Sequence, residues 1–253
     1  MLRTRVIPVL LLQEGGLVKG QQFKNHKYVG DPINAVKIFN EKEVDELVFL
    51  DISATDENRG PDFYLLADMA SEAFMPFAYG GGVKTVKQVE RLFSIGVEKA
   101  IINTAAFLDP NMVKEAVKVA GSQSIVVSMD VKKPLFGSYE VYVNNGKAKT
   151  KLDPVTYAKK MQDYGVGELI VSSIDREGTG KGYDIKLLEM VSDAVAIPVV
   201  GLGGAGCVQD LADAKNQTAV SGLAAGDLFV FHGKHKAVLI TYPKYSELEK
   251  LFN

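Results

Sequence analysis

Two stretches of this chain repeat one design. Phe77-Ala78-Tyr79-Gly80-Gly81-Gly82 is an apolar strand running into glycines, and Pro198-Val199-Val200-Gly201-Leu202-Gly203-Gly204 does the same, with Gly203 standing 122 residues after Gly81. Each is followed by a helical pattern and then by a strand that ends in small residues. That strand end is Ile102-Asn103-Thr104-Ala105-Ala106 in one copy and Leu223-Ala224-Ala225-Gly226 in the other. A repeat of this length with its element order kept predicts two half-barrels joined into one quasi-twofold body.

Eight short apolar runs carry the alternation: Val6–Leu12, Leu47–Leu50, Pro76–Tyr79, Ala100–Ile102, Ile125–Met129, Leu169–Val171, Ile197–Val200 and Gly222–Ala225. They lack a polar face, as parallel strands do when helices cover them. The helices between them have start signals. Asp31-Pro32, Asp109-Pro110 and Asp153-Pro154 each put a capping carboxylate before a proline at the first helical position. Val113, Ala116, Val117 and Ala120 share one helical face, and so do Val86, Val89, Leu92 and Phe93. Eight strands alternating with helices over 253 residues fit an α/β fold of the (β/α)8 TIM-barrel type, built from duplicated half-barrels. An open doubly wound sheet is the rival, but it leaves the internal repeat unexplained. With no linker or low-complexity stretch, residues 1–253 read as a single domain. Tyr139–Val143, Asn144-Asn145-Gly146 and Lys147–Thr150 break the alternation and predict a β-hairpin with an Asn-Gly turn, decorating the loop after the fifth strand.

Composition narrows the partners. A net charge of −2 gives no global electrostatic case for nucleic acid or an anionic membrane. The longest early apolar run, Val6–Leu12, is too short to span a bilayer and is read as a buried strand. One cysteine and three histidines argue against a disulfide, a multi-cysteine zinc site or a histidine-rich metal site. The expected location is cytoplasmic, and neither metal nor cofactor is expected. No P-loop and no dinucleotide fingerprint occurs. Cys207 is read as a small buried residue.

The glycine loops lie where barrel active sites lie, at the C-terminal ends of strands. Glycines there let backbone N–H groups approach an anion, and a following helix adds its positive end. Two such loops predict a ligand with a phosphate at each end, contacted by Gly81, Gly82, Asn103 and Thr104 in one half and Gly203 and Gly204 in the other. Asp227 opposes the second cup, because a carboxylate there repels phosphate unless it only caps a short helix. Asp51, Asp130 and Asp175 fall at or just past strand ends. Asp130 is the candidate acid or base; for Asp51 and Asp175 an equal alternative is organising their loops.

These residues resemble the HisF family, the cyclase subunit of imidazole glycerol phosphate synthase. The resemblance runs from residue 1 to about 232. It rests on Arg5-Val6-Ile7-Pro8, Gly30-Asp31-Pro32, Asp45–Ile52, Gly80-Gly81-Gly82, Ile102–Ala106, Gly121-Ser122-Gln123, Ser173–Thr179 and Gly203-Gly204-Ala205-Gly206. The family implies a HisH-type glutaminase docked on the N-terminal face and ammonia passing through the barrel. It implies a gate of alternating charges, here Arg5, Glu46, Lys99 and Glu168, and it adds Gly178 to the phosphate contacts. It also implies two catalytic aspartates. The second is Asp130; the position of the first holds Leu11, which cannot exchange a proton.

That departure, with Leu10-Leu11-Leu12 and the tail Phe231–Ile240, resembles the HisF-like branch of surface-polysaccharide gene clusters. Those proteins accompany a HisH-like glutaminase and a WbpG-type N-acetyl sugar amidotransferase, thought to make acetamidino sugars. Three readings stand: an ammonia-channelling synthase subunit for sugar amidination, a histidine-pathway cyclase using Asp51, Asp175 or Glu177 instead, and a non-catalytic scaffold that activates the glutaminase.

Overall fold

The computed structural model describes residues 4–233 and 235–252. Eight parallel strands close on themselves: β1 (Arg5–Gln13), β2 (Leu47–Asp51), β3 (Phe77–Gly80), β4 (Lys99–Ile102), β5 (Ile125–Lys132), β6 (Glu168–Ser173), β7 (Val199–Leu202) and β8 (Gly222–Ala225). Each pairs with the next, and β8 pairs back onto β1 with Arg5 opposite Gly222 and Pro8 opposite Ala225. Helices lie between successive barrel strands, so the architecture is a (β/α)8 barrel.

The strand period of two sorts the side chains into two layers. Ile7, Val9, Val48, Ala78, Ile101, Val126, Ile170, Val200 and Ala224 point inward and fill the barrel. Their neighbours Val6, Leu10, Leu47, Phe49, Phe77 and Tyr79 point outward. They pack against Val36, Phe39, Leu66, Val89, Leu92 and Val113 of the surrounding helices. This double burial is why the strands carry no polar face. Each large side chain so buried stabilises the fold by about 1.5–3 kcal/mol.

The helix starts follow local chemistry. Asp31, Asp109 and Asp153 accept from the backbone N–H groups of Asn34, Met112 and Thr156 at 2.8, 3.3 and 2.9 Å. Each stands before a proline that supplies no N–H to satisfy. Thr85 and Gln88 close a capping box on the helix Val86–Ser94, whose buried residues are Val89 and Leu92. Such caps are worth about 1 kcal/mol each.

Two hairpins decorate the C-terminal end. Glu140–Val143 and Ala148–Lys149 extend β5 antiparallel. Their turn brings Lys147 N–H to Asn144 O at 3.1 Å, with Asn145 and Gly146 both at positive φ, as a primed hairpin turn requires. The first hairpin in chain order, Gly16–Gln21 with Lys24–Gly30, continues β1 with Leu11 opposite Val18. No strong turn signature announces it: its tip turns through Gln22 and Phe23, both at positive φ and neither with a preference for it.

Cys207 departs from expectation. It is exposed, not buried. It holds the N-cap position of the helix Val208–Gln217, where Asp210 turns back to accept from Cys207 N–H at 3.0 Å. An N-cap residue stands off the helix's apolar face, so its small size implies nothing about burial. No helix among the described residues is long and apolar enough to cross a membrane.

Candidate functional site

The inward positions at the two ends of the barrel are polar. At the N-terminal end Arg5, Lys99 and Glu168 open β1, β4 and β6, and Glu46 immediately precedes β2. Each lies two residues before an inward apolar residue (Ile7, Ile101, Ile170 and Val48), so the strand period brings all four into the bore. Arg5 Nη1 meets Glu46 Oε2 at 2.6 Å, and Arg5 Nη2 also bonds Glu168. Lys99 Nζ contacts both Glu46 oxygens at 2.9 Å and Glu168 Oε2 at 2.8 Å. The result is a closed ring of alternating charge. Burial works to lower the Arg5 pKa, but the hydrogen bonds and charges of Glu168 and Glu46 more than offset it, and the guanidinium is held above its ordinary value. An isolated charge at this depth would lose hydration without such return.

At the C-terminal end the barrel opens into a cavity of about 580 Å³. Asp130, Asn103, Thr104, Gly81 and Gly82 border it, with Leu11, Lys19, Glu177 and Gly226. Asp130 points inward from β5 and is 7 % exposed. Burial pushes its pKa up, the Glu177 charge pushes the same way, and a 3.0 Å bond from Asn103 Nδ2 opposes them; the carboxyl stands at about 7. A group there holds or releases a proton at neutral pH, as an acid or base must. Leu11, in the corresponding place on β1, offers the cavity only methyl groups.

Asp51 and Asp175 organise loops. Asp51 accepts from Ser53 and Ala54 N–H and forms a forked ion pair with Arg59 at 2.8 and 3.1 Å. Asp175 Oδ2 accepts from Lys133 N–H at 2.8 Å. The glycines have a packing role as well. A Cβ at Gly81 would stand 2.6 Å from Asp51 O, and one at Gly203 would stand 2.9 Å from Ser173 O, so each loop crosses its predecessor at backbone distance. Gly178 is pressed in the same way on Gly20 of the first hairpin. Gly178, Gly203 and Gly204 are not among the residues that border the cavity.

Known sequences are similar to this chain along nearly all of its length. The sequence model of the histidine biosynthesis protein family matches residues 5–236. A protein of Pseudomonas aeruginosa PAO1, provisionally named imidazole glycerol phosphate synthase subunit hisF2, is 51 % identical over 98 % of this chain and 99 % of its own. One from Leptospira interrogans, provisionally named as subunit HisF, is 46 % identical over the whole of both chains. Imidazole glycerol phosphate synthase subunit HisF of Petrotoga mobilis is 43 % identical over 92 % of this chain and 91 % of its own. The chain belongs to the HisF family.

One residue of this HisF-family mouth escapes a reading by sequence. Lys19, in the first hairpin, is only 4 % exposed. Its Nζ lies 3.1 Å from Glu177 Oε1 and 3.1 Å from Asp227 Oδ1. Burial lowers its pKa, the two carboxylates raise it further than that, and Lys19 stays charged. His26 beside it is pushed down, by burial first and then by the Lys19 charge. The available signal was a lone lysine after Leu17-Val18, which reads as an ordinary solvated strand residue. Among the described residues no group of three His, Cys, Asp or Glu side chains is placed to hold a metal ion.

Proposed function

We propose that this HisF-family chain is an ammonia-delivering synthase subunit. A HisH-type glutaminase docks at the ring end, ammonia passes the ring and the bore, and an acceptor in the C-terminal cavity takes it up. The acceptor reaction is acetamidino-sugar formation for surface polysaccharide, with a WbpG-type N-acetyl sugar amidotransferase activating the sugar amide. In this reading Arg5, Glu46, Lys99 and Glu168 gate the entrance. Asp130 handles protons, and Gly81, Gly82, Asn103 and Thr104 hold a phosphate of the ligand. The observation that carries the reading is a closed ring at one end of the apolar barrel interior with Leu11 facing the cavity at the other. Ile7, Val9, Val48, Ile101, Val126 and Ile170 pack that interior. An apolar bore favours neutral ammonia over ammonium, whose charge would be desolvated. Losing one proton-transfer group removes about 10² to 10⁴ from a cyclase but nothing from a conduit.

The purified chain is expected to convert the histidine-pathway phosphoribosyl substrate poorly, even with ammonium salt in excess. Turnover like that of an ordinary HisF would defeat the proposal. In the reconstituted system, Lys99→Ala is expected to lower glutamine-dependent amidination more than ammonium-dependent amidination. Equal loss with both nitrogen sources would make Lys99 structural and remove the gate.

One observation favours a second reading. Glu177 borders the cavity with Asp130, so the pair could serve a histidine-pathway cyclase that has relocated one proton-transfer group. Rescue of a histidine auxotroph lacking its own HisF would support it, and failure to rescue would count against it.

A further inference from the structure

The two halves of the mouth differ at equivalent positions. Asn103 and Thr104 follow β4, and Gly226 and Asp227 follow β8; Thr104 and Asp227 each begin a short helix. In the first half Asn103, Thr104 and the glycine loop Gly80–Gly82 all face the cavity. In the second half a side chain from elsewhere stands over the strand end. A Cβ added at Gly226 would lie 2.3 Å from Lys19 Nζ. That ammonium is already shared between Glu177 and Asp227. Asp227 is also met by Lys236 at 3.2 Å. The loop carrying Gly204 is closed from above by the chain itself, with Gly182 N–H bonded to Gly204 O at 2.9 Å.

We propose that Lys19 and Asp227 close the second half of the mouth to anions, so that the ligand of this site carries a phosphate at one end only. Asp227 is then the specificity-determining residue. An incoming phosphate would face the carboxylate of Glu177 at the cavity wall, with the Asp227 carboxylate next to Gly226 on the same ammonium, and the buried cation between them is already paired. Like charges brought together this way oppose binding, so the second phosphate stays in water. The far end of the ligand instead meets the Glu177 carboxylate, which accepts hydrogen bonds from hydroxyl groups. The class that fits is a sugar or nucleotide-sugar phosphate rather than a bisphosphate. This rests on the reading of the mouth as a phosphate-ligand site, and not on ammonia transfer.

The test uses the full chain and two probes, ribose 5-phosphate and ribulose 1,5-bisphosphate, in calorimetric titrations at one ionic strength. The natural chain is expected to bind the two within about threefold of each other, because a second phosphate gains nothing. Asp227→Asn and Asp227→Ser are each expected to tighten bisphosphate binding by about tenfold while leaving the monophosphate within about threefold. A natural chain that prefers the bisphosphate by about tenfold would overturn the proposal. So would binding of neither probe, or a folded Asp227→Asn with no gain. If both variants fail to fold, the comparison of probes on the natural chain still decides. A chain that shows one-ended binding but fails the Lys99→Ala test loses the ammonia gate and keeps this assignment.

Discussion

At the N-terminal end of the barrel two cations meet two carboxylates; at the C-terminal end one buried cation, Lys19, meets two. The ring of Arg5, Glu46, Lys99 and Glu168 is balanced, and each carboxylate touches both cations. It needs nothing from outside to compensate its lost hydration. The mouth cluster carries an excess negative charge that the exposed Lys236 offsets, and its Lys19 and Glu177 border an open cavity with Asp130 nearby. A closed, neutral ring suits a barrier that stays in place. An unbalanced cluster beside a cavity suits a surface that chooses what enters. The same ingredients thus give a plug at one end and a selector at the other, and the difference lies in charge count and access to water.

Removing the central cation is the strongest way to break this contrast. Lys19→Met leaves Glu177 and Asp227 buried against each other, and a loss of about 3–5 kcal/mol in denaturant unfolding is expected. Asp130→Asn tests the mouth from the opposite side. Its folded pKa of about 7 stands above the unfolded value. Between about pH 4 and pH 7 the unfolded chain has therefore released a proton that the folded chain still holds, and stability falls as the pH rises through that window. The variant is expected to be more stable than the natural chain at pH 8, by on the order of 2–4 kcal/mol, with the gain vanishing towards about pH 4. A gain independent of pH would mean that Asp130 does not titrate in this range.

The ring has a spare cation. Arg5→Met leaves Lys99 bridging Glu46 and Glu168, so the expected loss is smaller than at Lys19, about 1–3 kcal/mol. A larger loss than for Lys19→Met would reverse the comparison. The smallest effect belongs to Lys236→Ala. Its side chain is 61 % exposed, so the change in thermal unfolding is expected to correspond to about 0.5 kcal/mol or less.

Much of this was legible in the chain. All eight barrel strands overlap apolar runs, because burial on both faces leaves a mark along the strand. The three Asp-Pro starts became caps because capping is settled within four residues of sequence. The ring residues were legible through the family resemblance, and the strand period then carried them into one plane. The first hairpin was not legible. It turns on Gln22 and Phe23, which carry no turn preference, and its strand Lys24–Gly30 is largely exposed and polar. Cys207 was misjudged because exposure at an N-cap depends on how the helix sits on the barrel. Asp51 and Asp175 read equally as catalytic or structural in the chain, and the fold sets Arg59 and Lys133 beside them while leaving Asp51 on the cavity wall.

The elements, their order and the duplicated halves are written in residue type, period or spacing over short stretches, and the resemblance to the HisF family implies the loss of a proton-transfer group at Leu11. Only the tertiary structure decided which charges neutralise which. Lys19 reaches Glu177 and Asp227 across 158 and 208 residues of chain, and Arg5 reaches Glu168 across 163. Coulomb energy depends on distance in space and on the water excluded between the partners. Barrel closure sets both, and no local pattern encodes them.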